Sequence, residues 1–278
     1  EFGRVGINYR NQWPSFAGGI HYFSSWIDYN LMKSNFSLGL NISNEFEEVY
    51  KLSTSHLSPS FSYEINLNYN WVLRSGAQFS IVDSRLNNDL VFLDQFNSDG
   101  TIGTSAENLM VYNNRNYLSF AMGMLAYSEK IWIGGSIYNL NEPNISFSNE
   151  KINLDKLYSF HIGFKIDKFK MSPSLHFKKQ SKFNQLDLGT YFNLEPINFG
   201  IWYRGIPIDS NNNFNSLISS LGINLKDLIM SYSYDYNFSD LSDSGGSHEI
   251  SIIYNFNFLG KKIPPKNARF LQCPIPNF

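Results

Sequence analysis

GGSHE, residues 245–249, is the part of this chain whose residue types come nearest to catalytic machinery. A serine nucleophile needs a base within hydrogen-bond reach, and the base needs an acid to orient it. Ser247 and His248 are adjacent, however, and open a stretch, SHEISIIYNFNF, in which apolar residues recur at every second position. That period belongs to a strand and sends the two side chains to opposite faces. The pair therefore reads as the lead-in to a strand and not as a nucleophile with its base. The five histidines, His21, His56, His161, His176 and His248, form no HExxH and no i, i+2 ligand pair backed by a carboxylate. Cys273 is the only cysteine, so neither an intrachain disulfide nor a CxxC metal site can form. EFEE at 45–48 and the acids Asp94 and Asp99 have the composition of solvated loops more than of calcium sites. No catalytic residue, metal site or cofactor emerges.

The elements that would position any site are strands. In MSYSYDYNF, residues 230–238, Met230, Tyr232, Tyr234, Tyr236 and Phe238 alternate with Ser231, Ser233, Asp235 and Asn237. Similar alternation marks fourteen segments, near 3–11, 18–29, 36–43, 57–69, 72–83, 116–127, 131–140, 157–167, 169–178, 185–194, 197–205, 216–226, 228–238 and 247–258. Connections after even-numbered strands are short. Those after odd-numbered strands tend to be longer, at 44–56, 84–115, 141–156, 206–215 and 239–246. No run of about 18 apolar residues exists, so no helix could span a bilayer. Many segments instead have the length of a tilted strand crossing the hydrocarbon layer. The pattern predicts an all-β fold: a closed antiparallel up-and-down transmembrane β-barrel of about 14 strands. Its long loops would be extracellular and its short turns periplasmic. A soluble β-sandwich is the competing architecture, and so many consecutive long hairpin strands argue against it.

Composition agrees. Charged residues are 17% of the chain, against about 25% in soluble domains, and aromatic residues are also 17%. A net charge of −2 does not suit a nucleic-acid partner. The tyrosine column would face lipid, with Trp13, Trp26, Trp71, Tyr127, Trp132 and Phe258 in interfacial girdles. The opposite register carries Arg10, Glu64, Arg74, His161, Lys165, Lys178, Asp187, Arg204, Asp235 and Glu249, which would line the lumen and pair across it. Residues 1–259 would form the barrel and 260–278 a short C-terminal periplasmic tail. The chain opens EFGRVGINYR, so any signal peptide is expected to have been removed or to lie outside it.

Three stretches carry a resemblance: YRNQWPSF at 9–16, SYDYNFSDLSDSGGSHEISIIYNF at 233–256, and CPIPNF at the end. Through Tyr9, Arg10, Gln12, Trp13, Asp235, Gly246, Ser247, His248, Glu249, Cys273 and Pro274 the chain resembles the PorP/SprF family, outer-membrane proteins of the type IX secretion system in Bacteroidetes. The family's Asn-Pro-rich segment precedes the first strand, and this sequence begins too late to show it. The resemblance implies an outer-membrane location in a Gram-negative bacterium. It also implies a non-enzymatic role in secreting, or anchoring at the surface, a large type IX-secreted protein such as a gliding adhesin, by binding its C-terminal domain. Other secretion-system components and membrane lipid would be further partners. Loop 84–115, with Phe92, Phe96, Leu109 and Met110 among polar residues, is the expected contact. A porin-like channel for small solutes is the alternative function.

Overall fold

In a computed structural model the described residues are 3–15, 18–31, 34–86, 95–97, 99–103, 114–205, 215–238, 242–256, 271 and 273–276. Fourteen antiparallel strands run through them: β1 (Gly3–Gln12), β2 (Ile20–Leu31), β3 (Phe36–Glu47), β4 (Leu52–Asn66), β5 (Val72–Leu86), β6 (Asn114–Tyr127), β7 (Ile131–Tyr138), β8 (Leu157–Phe164), β9 (Met171–Gln180), β10 (Phe183–Leu194), β11 (Ile197–Arg204), β12 (Ser216–Leu225), β13 (Leu228–Asn237) and β14 (Ser247–Phe256). Each pairs with its sequence neighbours, and β1 pairs with β14 from Gly3↔Phe256 to Gln12↔Ser247, closing the barrel. Closure satisfies every strand edge, which a sheet in hydrocarbon must do because lipid offers no hydrogen bonds. β1 starts and β14 ends beside the short turns, so both barrel termini lie at that end of the wall.

The outward face is apolar and exposed. Ile7, Phe23, Ile27, Leu38, Leu40, Ile42, Phe61, Met122, Met124, Ile162 and Ile250 lie along it, among many others. A soluble protein does not leave so continuous an apolar surface uncovered; lipid covers this one. The tyrosine column of β13 faces outward, with Met230, Tyr232, Tyr236 and Phe238 exposed. Tyr234 is only half-buried because its ring packs 4.9 Å from that of His248.

Two corrections to the expected girdles follow from the pleat. Trp26, Tyr127 and Trp132 project inward, the last two almost fully buried. Inward rings of this size need a gap in the wall, and a glycine on the paired strand supplies it. A Cβ added to Gly6 or Gly163 would lie 2.5 Å from Trp26 or 2.2 Å from Trp132. The outward rings come from residues of both ends: Phe36 against Tyr63 and Tyr29 against Phe256 at the short turns, and Tyr9, Phe23, Tyr158, Tyr203 and Tyr236 at the other end. Trp13 and Trp71 sit in connections, and Phe258 lies outside the described residues.

The expected loop 44–56 is also corrected. β3 and β4 continue to a tight turn at 48–51, so most of that stretch is strand pairing. Its alternation was obscured because both faces are polar: Asn44 donates to Ser53 and Ser55 outside, while Glu45 and Glu47 point inward. Polar residues outside indicate that the β3–β5 wall rises beyond the hydrocarbon layer. The connection after β9 is likewise a tight turn at 181–182.

Ile7 lies at the middle of β1 on the exposed face. Ile7→Arg should destabilise the barrel by about 2–4 kcal/mol, the cost of a cation near the bilayer midplane. Urea unfolding in lipid vesicles, followed by tryptophan fluorescence, measures this; an unchanged midpoint would mean that this face is not in lipid.

Candidate functional site at the two ends of the lumen

Residues separated by most of the chain meet where the barrel closes. The antiparallel register of β1 against β14 sets Arg10 opposite Glu249, Asn11 opposite His248 and Gln12 opposite Ser247. Pairing continues past the strand ends, the Trp13 amide donating to the Gly246 carbonyl at 2.8 Å and the Ser15 amide to the Ser244 carbonyl at 3.1 Å. This zipper needs a glycine at 246: its φ is +70°, and a Cβ would lie 2.2 Å from the Asp235 carbonyl oxygen. Tyr9, Arg10, Gln12, Trp13, Gly246, Ser247, His248 and Glu249 thus form one patch at the long-connection end of the seam. Ser247 and Arg10 face inward, His248 and Tyr9 outward. His248 accepts or donates at 2.8 Å with the Tyr232 hydroxyl, away from Ser247. On the other flank Tyr9 reaches His21 at 2.9 Å and His21 reaches Glu48 at 3.0 Å.

Inside the same end, charges form a belt. Arg10 donates to Asp235 at 2.8 Å and to Glu249 at 3.0 Å, and Asn8 donates to Glu249 at 2.7 Å. Arg204 donates to the same Asp235 oxygen at 2.9 Å and reaches Asp187 at 3.5 Å, which also accepts from Gln185 at 2.8 Å. Asp235 is 2% exposed and Asp187 5%, so both carboxylates rely on these cations. The expectation was pairing across the lumen. The belt instead runs round the wall through β1, β14, β13, β11 and β10. Asp235 reaches over β14 to Arg10 and over β12 to Arg204, because inward side chains of next-but-one strands converge on the concave face. Lys178 faces this belt from β9, without an ion pair among the described residues.

At the short-turn end Arg74 donates to Glu64, which also accepts from the Tyr127 hydroxyl at 3.1 Å. Arg4 pairs with Asp28 at 2.8 Å and lies 5.4 Å over the Trp26 ring. Beside these charges is an apolar recess formed by Val72, Leu125, Tyr127 and Trp132, with Leu271 and Ile275 packed on it. Sequence reasoning missed this recess, although the inward register of Leu125 and Tyr127 opposite outward Met122 and Met124 was readable. Lys165 is a correction: it lies beyond β8 in the 165–170 connection, where its ammonium sits 3.3 Å from Asp167. Lys130, then Lys165, holds the exposed Asp167 carboxyl below the ordinary carboxylate range. His161 points inward on β8 with its ring 6.4 Å from that of His176. Cys273 and Pro274 lie among the described tail residues, Cys273 near Arg74, Arg4 and Glu64.

Of the expected loop contacts, Phe96 is exposed and bridges to exposed Ile102 in a small turn; Phe92, Leu109 and Met110 lie outside the described residues, as does Asp94. Asp99 in that turn accepts from the Thr101 hydroxyl and amide, which lowers its pKa, so its carboxylate is engaged locally. Among the described residues no three His, Cys, Asp or Glu side chains are grouped to hold a metal.

A family model described as type IX secretion system membrane protein PorP/SprF matches residues 1–254, which takes in the seam and the belt. The chain belongs to the PorP/SprF family. No curated protein matches it. Among solved structures, a FadL homologue from Pseudomonas aeruginosa is similar at a TM-score of 0.51 and 11% identity, over 92% of this chain and 90% of that one. The KdgM porin is similar at 0.44 and 10%, over 91% and 99%. At 11% identity only the fold is shared with the FadL homologue, and it is an outer-membrane barrel. This PorP/SprF chain is therefore an outer-membrane protein of type IX secretion, built as a fourteen-strand barrel.

Asp235→Ala would leave Arg10 and Arg204 facing each other over an empty acceptor. A loss of about 3–5 kcal/mol is expected on urea unfolding in vesicles. Adding Arg10→Ala should then cost less than the two single losses together, because the second change removes the charge the first left unpaired. Strictly additive losses would show that the belt is not one coupled unit.

Proposed function

We propose that the long-connection end of this barrel binds the C-terminal domain of a large type IX-secreted protein and so helps export it or retain it at the cell surface, with that end facing outward. The observation that carries this reading is the convergence of the family-motif residues of β1, β13 and β14, from Tyr9 to Trp13 and from Asp235 to Glu249, at one end of the seam, while Cys273 and Pro274 lie at the other end of the lumen. At that end of the seam backbone bonds between 13–15 and 244–246 and the Arg10–Asp235–Arg204 belt make a rigid rim. Rigid, aromatic-rich rims suit protein recognition, since Tyr and Trp contribute contact area at small entropic cost. In the β5–β6 connection, exposed Phe96 and Ile102 offer apolar anchors of the kind enriched at interfaces. Binding of this kind needs no nucleophile and no metal. The channel reading has less support, because charged side chains crowd one end of the lumen and an apolar recess is filled at the other.

Mild detergent extraction followed by mass spectrometry should recover one large secreted chain in stoichiometric amount. Phe96→Asp with Ile102→Asp should leave the barrel folded, judged by its shift on an unboiled gel, while reducing the recovered partner several-fold. Recovery at the wild-type level would place recognition elsewhere on the rim; absence of any secreted partner from the wild-type protein would end the proposal.

A further inference from the structure

The inward face of this barrel is mainly small and polar, with Ser24, Ser43, Ser58, Ser80, Ser119, Ser216 and Ser247 buried along it. Val72, Leu125, Tyr127 and Trp132 depart from that character, as Val82, Ile229 and Ile253 do, and Val72, Tyr127 and Trp132 form a cluster on which groups from outside the strands pack. A lumen that held only water would leave their surface wet at a cost proportional to area. Yet Val72, Tyr127 and Trp132 are 1%, 2% and 3% exposed. Among the described residues, the apolar groups packed against this cluster from outside the strands are Leu271 and Ile275.

We infer that Leu271 and residues 273–276 form a resident plug seated in the short-turn end of the lumen, with Leu271 and Ile275 as its anchors and the recess on β5, β6 and β7 as its binding site. Three features fit the occupant to the recess. The segment LQCPIP places Ile275 between Pro274 and Pro276. Proline fixes φ near −65°, so the free segment is already restricted and loses little entropy on docking. Second, Leu271 packs on β5–β7, although the strand that precedes it in the chain, β14, lies on the other side of the ring, next to β1. A segment serving only to finish β14 would have no reason to be there. Third, Glu64, Arg74 and Arg4 rim the recess, and Cys273 lies among them, so Cys273 meets charges while Leu271 and Ile275 meet the apolar floor. The recess therefore recognises an extended, proline-restricted apolar peptide, and this chain supplies one itself. At rest the barrel is a closed vessel at this end and does not conduct.

Planar-bilayer recording from the purified full chain tests the closure. The wild-type trace should be near-silent, and both a chain cut after residue 270 and the double variant Leu271→Asp, Ile275→Asp should give steady stepwise openings. Folding of each variant is verified by its shift on an unboiled gel. A second readout uses Cys273, which is exposed and is the only cysteine: nitroxide labels on Cys273 and on Glu129→Cys, in the turn between Tyr127 and Ile131, report the distance between tail and recess. A narrow distribution is expected in the parent chain and a broad one in the double variant. Broad distributions in both would overturn the seated tail. Narrow distances with wild-type openings as frequent as in the truncated chain, or with silence in all three proteins, would overturn its role in closure.

Discussion

Closure of β1 on β14 is the constraint on which the rest depends. A sheet edge in hydrocarbon strands several N–H and C=O groups without partners, and each costs far more there than in water. An unclosed sheet of fourteen strands joined by thirteen pairings would not be a damaged barrel but an unacceptable one. The closure register then fixes everything at the seam: with Gly3 opposite Phe256, Arg10 must meet Glu249 and Trp13 must meet Gly246. Gly246, which looks like loop punctuation in the sequence, is what lets two connections zip together beyond the last ladder bond.

Closure also creates a concave inside, and concavity changes which residues can touch. On a flat sheet, next-but-one strands are too far apart for side chains to meet. Inside this ring Asp235 of β13 reaches Arg10 of β1 and Arg204 of β11, skipping a strand in each direction. The result ties one end of the wall together. At the other end the interior is occupied by apolar side chains and large rings laid over glycines. The two ends of the lumen are thus chemically unlike, one a belt of charges and the other an apolar recess with ion pairs at its rim.

Much of this was readable in the sequence, and the reason is the period of two. In a barrel, the alternation is decided by lipid on one side and a lumen on the other, so a strand such as 230–238 announces both its conformation and its faces. Where both solvents are polar the signal vanishes: the hairpin of β3 and β4 rises past the lipid, and Asn44, Glu45 and Glu47 read as loop. Aromatic type also misleads. Trp26 and Trp132 look like girdle residues by position near strand ends, but face is set by register, and each lies over a glycine that belongs to a different strand.

What the sequence by itself determined was the set of strands, their order, the identity of the lipid face and, through motif residues at both ends of the chain, the family. These are local or pairwise-sequential properties, carried by hydrophobic periodicity and by turn chemistry within a few residues. The tertiary structure alone decided which charges share a partner, that Lys165 belongs to a turn and not to the lumen, and where Leu271 and Ile275 go. Those outcomes depend on distances across a closed ring, between residues that no local spacing relates, and become fixed only when the last strand finds the first.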